Sequence, residues 1–100
     1  MLEFMIDVNV RLVGVLRGVS GKSSFTVKLM DDDMIATLVQ KISTEFGEEF
    51  KRVLVDSEQN DPRPNVLILV NGKEIELLQK LETKLEDDDI VTIIPVSHGG

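Results

Sequence analysis

The chain has 100 residues and a formal net charge of −7, and 42% of its residues are hydrophobic. This length and hydrophobic content predict one domain with a single core. The absence of cysteine excludes disulfides, zinc–thiolate sites and thiol catalysis.

The charge and hydropathy also limit the partners that we expect. Basic residues are scattered and the four aromatic residues are all Phe, which argues against direct nucleic-acid binding. No apolar run approaches the ~20 residues that cross a bilayer, and the N-terminus does not resemble a signal peptide. We therefore expect a cytoplasmic protein without membrane association that is monomeric when free.

The first third of the chain alternates between apolar and polar residues. Within residues 7–16, Val8, Val10 and Leu12 share one face, which predicts a half-buried strand. The Gly- and Ser-rich residues 17–24 predict a hairpin connection to a second alternating strand at 25–29. The Gly-Lys-Ser sequence in this connection lacks the earlier glycine of a phosphate-binding loop, so no nucleotide site is expected.

A helical period follows the acidic residues 31–33. Apolar residues recur at spacings of three and four, at Ile35, Leu38, Val39, Ile42 and Phe46. Asp32 or Asp33 is expected to cap the N-terminus of this helix, and Gly47 is expected to end it. A second, shorter helix is predicted around residues 48–55.

The last third of the chain predicts three strands. Residues 66–70 form an apolar run that ends at an Asn71-Gly72 turn, and a short return strand follows. Leu81 and Leu85 are expected to pin the polar connection that comes next to the core. Residues 90–96 predict a final strand that is buried on at least one face.

The order of these elements predicts an α+β fold of the β-grasp, or ubiquitin-like, type. We expect a mixed sheet of four to five strands with one main helix packed across one face. The predicted domain spans residues 1–95, and residues 96–100 are predicted to form a flexible C-terminal tail that ends in Gly99-Gly100.

No catalytic constellation is found in the sequence, which argues against an enzyme. The single histidine, His98, lies in the predicted tail, whereas general acid–base catalysis needs a positioned side chain. The triplets Asp31–Asp33 and Asp87–Asp89 are interpreted as turn and cap residues, and no metal site is expected, because no pattern places the two triplets together.

The two terminal glycines leave two interpretations open. Gly99 and Gly100 can be an ordinary frayed end, or the working end of the molecule, since glycine without a Cβ can enter a narrow slot. The terminal carboxylate is an anion at neutral pH and a poor electrophile, so it must be activated by another protein before it transfers anything.

Residues 63–100 resemble the ubiquitin-related modifier family. The shared features are an Arg-Pro pair before an apolar strand, the Val-Asn-Gly turn, the Glu-Leu-Leu return, an acidic turn at 87–89 and the His-Gly-Gly ending. The chain is similar, less closely, to the small subunit of molybdopterin synthase and to the thiamine-pathway sulfur carrier. One departure is Asp88, where relatives commonly carry glycine; we expect a small strain cost there and no loss of fold.

The resemblance implies a carrier protein that is a substrate of an E1-like activating enzyme. Gly100 would be adenylated, with ATP used by the partner and no cofactor bound to this chain. The adenylate would then become a thiocarboxylate that supplies sulfur to a tRNA 2-thiolation enzyme, and the same terminus can be conjugated to lysines of target proteins. Gly99, which has no side chain, would fit the narrow channel through which Gly100 enters the activating enzyme. His98 and Ser97 would be recognised in the tail.

A partner-binding face is expected on the sheet. If Val91 and Ile93 face the helix, Ile94 points away from it, and Leu67 and Leu69 of the neighbouring strand join Ile94 on the outer face. Two alternatives remain open at this point: the sulfur-carrier subunit of molybdopterin synthase, and a non-covalent ubiquitin-like interaction module.

Overall fold

The computed structural model describes residues 4–96. Its strands are β1 (Met5–Leu12), β2 (Ser24–Met30), β3 (Val66–Val70), β4 (Lys73–Glu74) and β5 (Ile90–Pro95). Its helices are α1 (Val15–Ser20), α2 (Ile35–Phe46) and α3 (Glu48–Leu54), and two short 3₁₀ helices span Ile75–Leu77 and Lys80–Glu82. The predictions made for Ser97, His98, Gly99 and Gly100 lie outside the described residues.

The five strands form one mixed sheet in the order β2-β1-β5-β3-β4. The central strand β5 pairs in parallel with β1 and antiparallel with β3. The parallel pair joins the first and last strands of the fold, and the intervening chain crosses one face of the sheet as α2. This arrangement confirms the predicted α+β, β-grasp fold.

The core lies between α2 and the inner face of the sheet. The apolar stripe of α2 is buried as its spacing predicts, and Val91 and Ile93 of β5 are fully buried opposite it. The predicted second helix is α3, which contributes Phe50 and Leu54 to the same core. Leu85 is buried and Leu81 packs against the core, so the connection before β5 is pinned as expected.

The connection between β1 and β2 is not the simple hairpin loop that its composition predicts. Strand β1 ends at Leu12, and the chain then forms α1 before it turns at Gly21, whose φ is 75°. Leu16 of α1 is completely buried, and Val19 packs against the core. The burial of these side chains outweighs the turn-forming tendency of the neighbouring glycines and serines.

The expected aspartate cap of α2 is also wrong. Helix α2 follows Met34, which is extended and forms no side-chain cap. The carboxylate of Asp33 instead accepts a hydrogen bond from the Met30 backbone N–H at 2.7 Å. The N–H of Ile35 donates to the carbonyl oxygen of Thr83 at 3.0 Å, so the neighbouring segment satisfies the start of the helix.

Two turns in the last third agree with the sequence. Asn71 and Gly72 have φ values of 51° and 86°, as a tight hairpin turn with two left-handed residues requires. Asp88 has a φ of 69°, which explains why glycine suits this position and why Asp, unlike a β-branched residue, is tolerated. The backbone N–H of Asp88 donates to the Asp7 carbonyl at 2.8 Å and ties this turn to β1.

Helices in the described part of the chain are too short or too polar to pass through a lipid bilayer.

Candidate functional site

The central strand of the sheet ends one residue before the last described residue, Val96. Strand β5 ends at Pro95, and the backbone N–H of Val96 donates to the Asn65 carbonyl oxygen at 3.0 Å. The side chain of Asn65 donates in turn to the carbonyl of Val53 in α3 at 3.2 Å. The position of Val96 is therefore fixed by contacts that reach the helical layer, and the predicted tail begins at a defined point.

The opposite side of this exit is formed by the junction of β1 and α1. The N–H of Val13 donates to the Ile93 carbonyl at 3.3 Å. Gly14 has a φ of 64°, and a Cβ on it would lie 3.7 Å from Cγ of Pro95. The left-handed backbone of Gly14 thus lets the chain turn away beside Pro95, at the last residue of β5.

The three residues predicted to bind a partner lie together on the outer face of the sheet. Leu67 is the register partner of Ile94, and Leu69 is the register partner of Thr92. All three predicted residues are half-buried, on the face opposite α2. The structure therefore gathers them into one apolar patch, called here the outer-face patch (Leu67, Leu69 and Ile94), towards the end of the sheet at which β5 reaches Pro95.

The surroundings of the patch include apolar residues that the sequence did not single out. Val13 and Val96 are 42% and 40% exposed, and both flank the end of β5. The sequence pattern predicts a strand that includes Val13, but β1 ends at Leu12, and the pattern places Val96 in the predicted tail. Their exposure extends the apolar surface around the point of exit, and strand alternation alone does not reveal it.

A charged group borders the patch on the β3 side. Arg63 donates through Nε and a terminal nitrogen to the carboxylate of Asp61, at 3.0 and 2.6 Å. Arg63 also lies 3.8 Å from a carboxylate oxygen of Glu76, beside a crevice of about 230 Å³ that Leu67 helps to line. The hydrogen bonds from the Arg63 side chain lower the pKa of Asp61 from its ordinary value.

Arg63 belongs to the Arg-Pro pair that the chain shares with the family, but the sequence predicts no structural role for its side chain. Its partner Asp61 precedes it by two residues, and Asp61 also accepts a hydrogen bond from the Arg63 backbone N–H at 2.8 Å. An Asp-x-Arg spacing in a polar loop is the signal that could have suggested this pair. The third member, Glu76, is close only because β3 and β4 form a hairpin.

The structure brings the two aspartate triplets to the same end of the sheet, opposite the end at which β5 reaches Pro95. The N–H of Leu85 donates to the Asp33 carbonyl at 2.9 Å, a proximity that no sequence pattern indicates. Their carboxylates act as turn acceptors: Asp87 accepts from the N–H of Asp7, and Asp89 from the N–H of Glu86. Among residues 4–96, no three His, Asp or Glu side chains converge closely enough to hold a metal ion.

Comparison with known proteins gives the family of the chain. The model of the Urm1 (Ubiquitin related modifier) family matches residues 7–100, which include Val96 and the two terminal glycines. The chain belongs to the ubiquitin-related modifier family. It is 27% identical over 95 residues to small archaeal modifier protein 3 of Haloferax volcanii, covering 95% of this chain and 100% of the relative.

The chain also has eukaryotic relatives. The chain is 50% identical over 70 residues to ubiquitin-related modifier 1 homolog 1 of Arabidopsis thaliana, which covers 70% of this chain and 67% of that protein. The solution structure of Urm1 from Trypanosoma brucei superposes with a TM-score of 0.77 at 25% identity, covering 99% of this chain and 100% of that one. The resemblance seen in residues 63–100 is thus confirmed over nearly the whole chain.

Proposed function

We propose that this member of the ubiquitin-related modifier family is a sulfur carrier that acts through the terminal carboxylate of Gly100. An E1-like enzyme would join this carboxylate to AMP and release pyrophosphate from ATP. A hydrosulfide equivalent held by the activating partner would then displace AMP and leave a thiocarboxylate for tRNA 2-thiolation. The activated carbonyl can alternatively react with the amine of a lysine on another protein to form an isopeptide bond.

The observation that carries this proposal is the family match through Gly100, together with the way β5 leads to that residue. The central strand delivers the chain to Pro95, and Asn65 holds Val96. Four residues then remain, which span about 13–14 Å when extended. This length supports a reach into another protein's active site, and two terminal glycines suit a narrow approach to the nucleotide.

The outer-face patch supports a docking role in the same reaction. Leu67, Leu69 and Ile94 lie on the sheet end from which the tail leaves, so an enzyme seated on them can receive the tail without unfolding the domain. Partly exposed aliphatic side chains in one patch are typical of a binding surface. We propose that the activating enzyme binds this patch and that Ser97 and His98 are recognised in its tail channel.

The decisive experiment measures ATP–pyrophosphate exchange by the activating enzyme of the same organism. Deletion of Gly99 and Gly100 should abolish the exchange and leave the melting temperature unchanged. The control Gln40→Ala, exposed on α2, keeps the tail and should be activated normally. Activation of the truncated chain would refute the proposed role of Gly100.

Intact-mass analysis of the protein from its native host separates the uses of the activated terminus. A mass gain equal to the difference between sulfur and oxygen shows the thiocarboxylate, and Gly-Gly remnants on lysines of other proteins show conjugation. A stable complex with the large subunit of molybdopterin synthase, with tRNA thiolation unaffected by loss of the chain, would favour the molybdenum-cofactor pathway. Biological activity that survives deletion of the tail would favour a non-covalent interaction module.

A further inference from the structure

A groove of about 650 Å³ lies on the helical side of the sheet, between α2 and α3. Its two long walls are stripes of residues at helical spacing, which include Ala36 and Ser43 on α2 and Lys51 and Val55 on α3. The two helices meet at Gly47, whose φ of 90° lets α3 begin directly after α2 ends. The abrupt change of direction at this glycine separates the two walls and leaves the groove between them.

The base of the groove is apolar. It is formed by buried or half-buried aliphatic side chains, which are Val39, Val55, Pro62 and Leu81. Mutual backbone hydrogen bonds between Asp56 and Asp61, at 2.9 and 3.3 Å, close the loop that immediately precedes Pro62. A molecule in the groove would therefore contact mainly aliphatic carbon, in a space within the range of about 300–1,000 Å³ that is typical of small-ligand sites.

One buried polar group of the groove has no hydrogen-bond partner. Ser43 is only 7% exposed, and within residues 4–96 its Oγ neither donates nor accepts a hydrogen bond. The neighbouring hydroxyl of Thr44 instead donates to the Gln40 carbonyl of its own helix at 3.1 Å, as helical hydroxyls commonly do. A buried hydroxyl without a partner costs free energy. Because Ser43 lines the groove, rotation about its Cα–Cβ bond suffices to present this hydroxyl to a bound molecule.

Charges of both signs surround the groove. Glu48 and Lys51 of α3 line it, and both are exposed to solvent. Lys41 and Glu45 lie on the other side of α2, where Lys41 donates to the Lys28 carbonyl in β2. The remaining charged residues next to the lining ones in the sequence are mixed in sign: acidic Glu49, Asp56, Asp61 and Glu82, and basic Arg52, Arg63 and Lys80. The surrounding charge thus favours neither an anion nor a cation.

We propose that the groove between α2 and α3 binds a small neutral molecule that has an apolar body and a hydrogen-bonding group. The apolar body would pack on Val39, Val55 and Leu81, and the hydrogen-bonding group would pair with the Ser43 hydroxyl. An ionic group is a poor occupant, because it would lose its hydration against aliphatic carbon and one neutral hydroxyl. A neutral hydroxyl, carbonyl or amide loses far less hydration and gives Ser43 the partner that it lacks.

This site is separate from the proposed docking face. The groove lies on the helical side of the sheet, whereas the outer-face patch lies on the opposite side. A molecule in the groove therefore leaves the outer-face patch accessible to an activating enzyme. The inference does not depend on the function proposed above, and its test needs neither ATP nor the activating enzyme.

The test is an NMR titration of the full-length ¹⁵N-labelled protein with three probes that share one apolar body: cyclohexylmethanol, cyclohexanecarboxylate and cyclohexylmethylammonium. We expect the alcohol to bind with a Kd on the order of millimolar, as suits a probe of this size, and to shift the amides of Gln40, Ser43 and Lys51 most. The carboxylate and the ammonium probes should each bind at least about threefold more weakly than the alcohol.

Ser43→Ala separates a binding role of the hydroxyl from a structural one. This variant should bind cyclohexylmethanol about two- to tenfold more weakly, because the bound alcohol loses its hydrogen bond. Its free energy of unfolding in urea should be unchanged or higher, since the substitution removes an unpaired buried hydroxyl and alanine favours the helix. A purely structural hydroxyl predicts the reverse, which is lower stability with unchanged binding.

A second pair of variants tests the place of binding. Ala36→Trp puts a large side chain into the groove from an exposed position and should abolish binding of the alcohol. The matched control is Glu45→Trp, on the other side of the same helix, which should bind normally. The proposal is overturned if the alcohol does not bind at tens of millimolar, if a charged probe binds as tightly, or if the shifts lie elsewhere. It is also overturned if Ser43→Ala binds as the unsubstituted chain does, or Ala36→Trp as Glu45→Trp does.

Discussion

Leu67 and Ile94 lie directly opposite each other on adjacent antiparallel strands, with both side chains on the sheet face away from α2. Ile94 immediately precedes Pro95, the last residue of β5, and Leu67 lies two residues after Asn65, whose carbonyl holds Val96. The pair therefore lies on the apolar outer face and also next to the residue at which β5 ends. An enzyme that contacts this pair is already beside the tail that it would process.

The first prediction concerns this pair. Leu67→Glu should lower the rate of E1-dependent ATP–pyrophosphate exchange at low protein concentration by about tenfold or more, because a central apolar contact is replaced by a charge that must be desolvated. The matched control is Leu77→Glu, since Leu77 is 76% exposed and lies outside the outer-face patch. Both variants should show the circular dichroism spectrum of the folded protein. Equal losses in the two variants, or no loss at Leu67, would contradict the assignment of this docking face.

Local patterns were sufficient to predict most of the elements. The spacing of Ile35, Leu38 and Ile42 predicted α2 correctly, because helical periodicity is a property of neighbouring residues. Alternation in β3 and β5 likewise predicted that Leu67 and Ile94 share a face. These predictions needed no knowledge of distant contacts.

The features that the sequence did not predict all depend on distant residues. Helix α1 is formed because Leu16 is buried in the core, although the surrounding glycines and serines favour a loop. The start of α2 is satisfied by the Thr83 carbonyl, so Asp33 is left free to close a turn with Met30.

The second prediction tests whether α1 belongs to the core. Leu16→Ala should lower the free energy of unfolding by about 2–5 kcal/mol, because a fully buried leucine is replaced by a cavity. Val15→Ala in the same helix is the control, since Val15 is 52% exposed, and its effect should stay within about 0.5 kcal/mol. Urea denaturation monitored by circular dichroism measures both values. Similar small effects in the two variants would indicate that residues 15–20 form a loop that does not contribute to the free energy of unfolding.

The third prediction concerns the turn at Asp88. Asp88→Gly should raise the free energy of unfolding by up to about 1 kcal/mol, because the φ of 69° strains a residue that has a Cβ. Asp88→Val should lower it by about 1–2 kcal/mol, since a β-branched residue is strongly disfavoured at positive φ. Asp88→Asn separates backbone strain from charge, because Asn tolerates a positive φ as well as Asp does but carries no charge. Its free energy of unfolding should fall between those of the glycine and valine variants. Thermal denaturation at one pH gives the order, and a valine variant as stable as the glycine variant would contradict it.

The fourth prediction concerns the pH dependence of the Asp61–Arg63 pair. The hydrogen bonds from Arg63 lower the pKa of Asp61 in the folded state, so the carboxylate stabilises the fold above its unfolded pKa. This stabilisation is lost as the pH falls through the lowered folded pKa. Asp61→Asn should therefore lower the free energy of unfolding by about 0.5–1 kcal/mol at neutral pH, a modest value because Arg63 is partly exposed and solvent screens the pair.

The difference between this variant and the unsubstituted chain should begin to shrink below the ordinary carboxyl pKa of about 3.9, where Asp61 is protonated in the unfolded state. It should approach zero only below the lowered folded pKa, where Asp61 is protonated in both states. Glu58→Gln in the same loop removes an exposed carboxylate and is the control for net charge. Urea denaturation curves from neutral to acidic pH measure all three proteins. A gap at Asp61 that stays constant down to the lowest pH at which the protein is folded would show that the pair acts through shape and packing, because only an ionised carboxylate gains from the charge of Arg63.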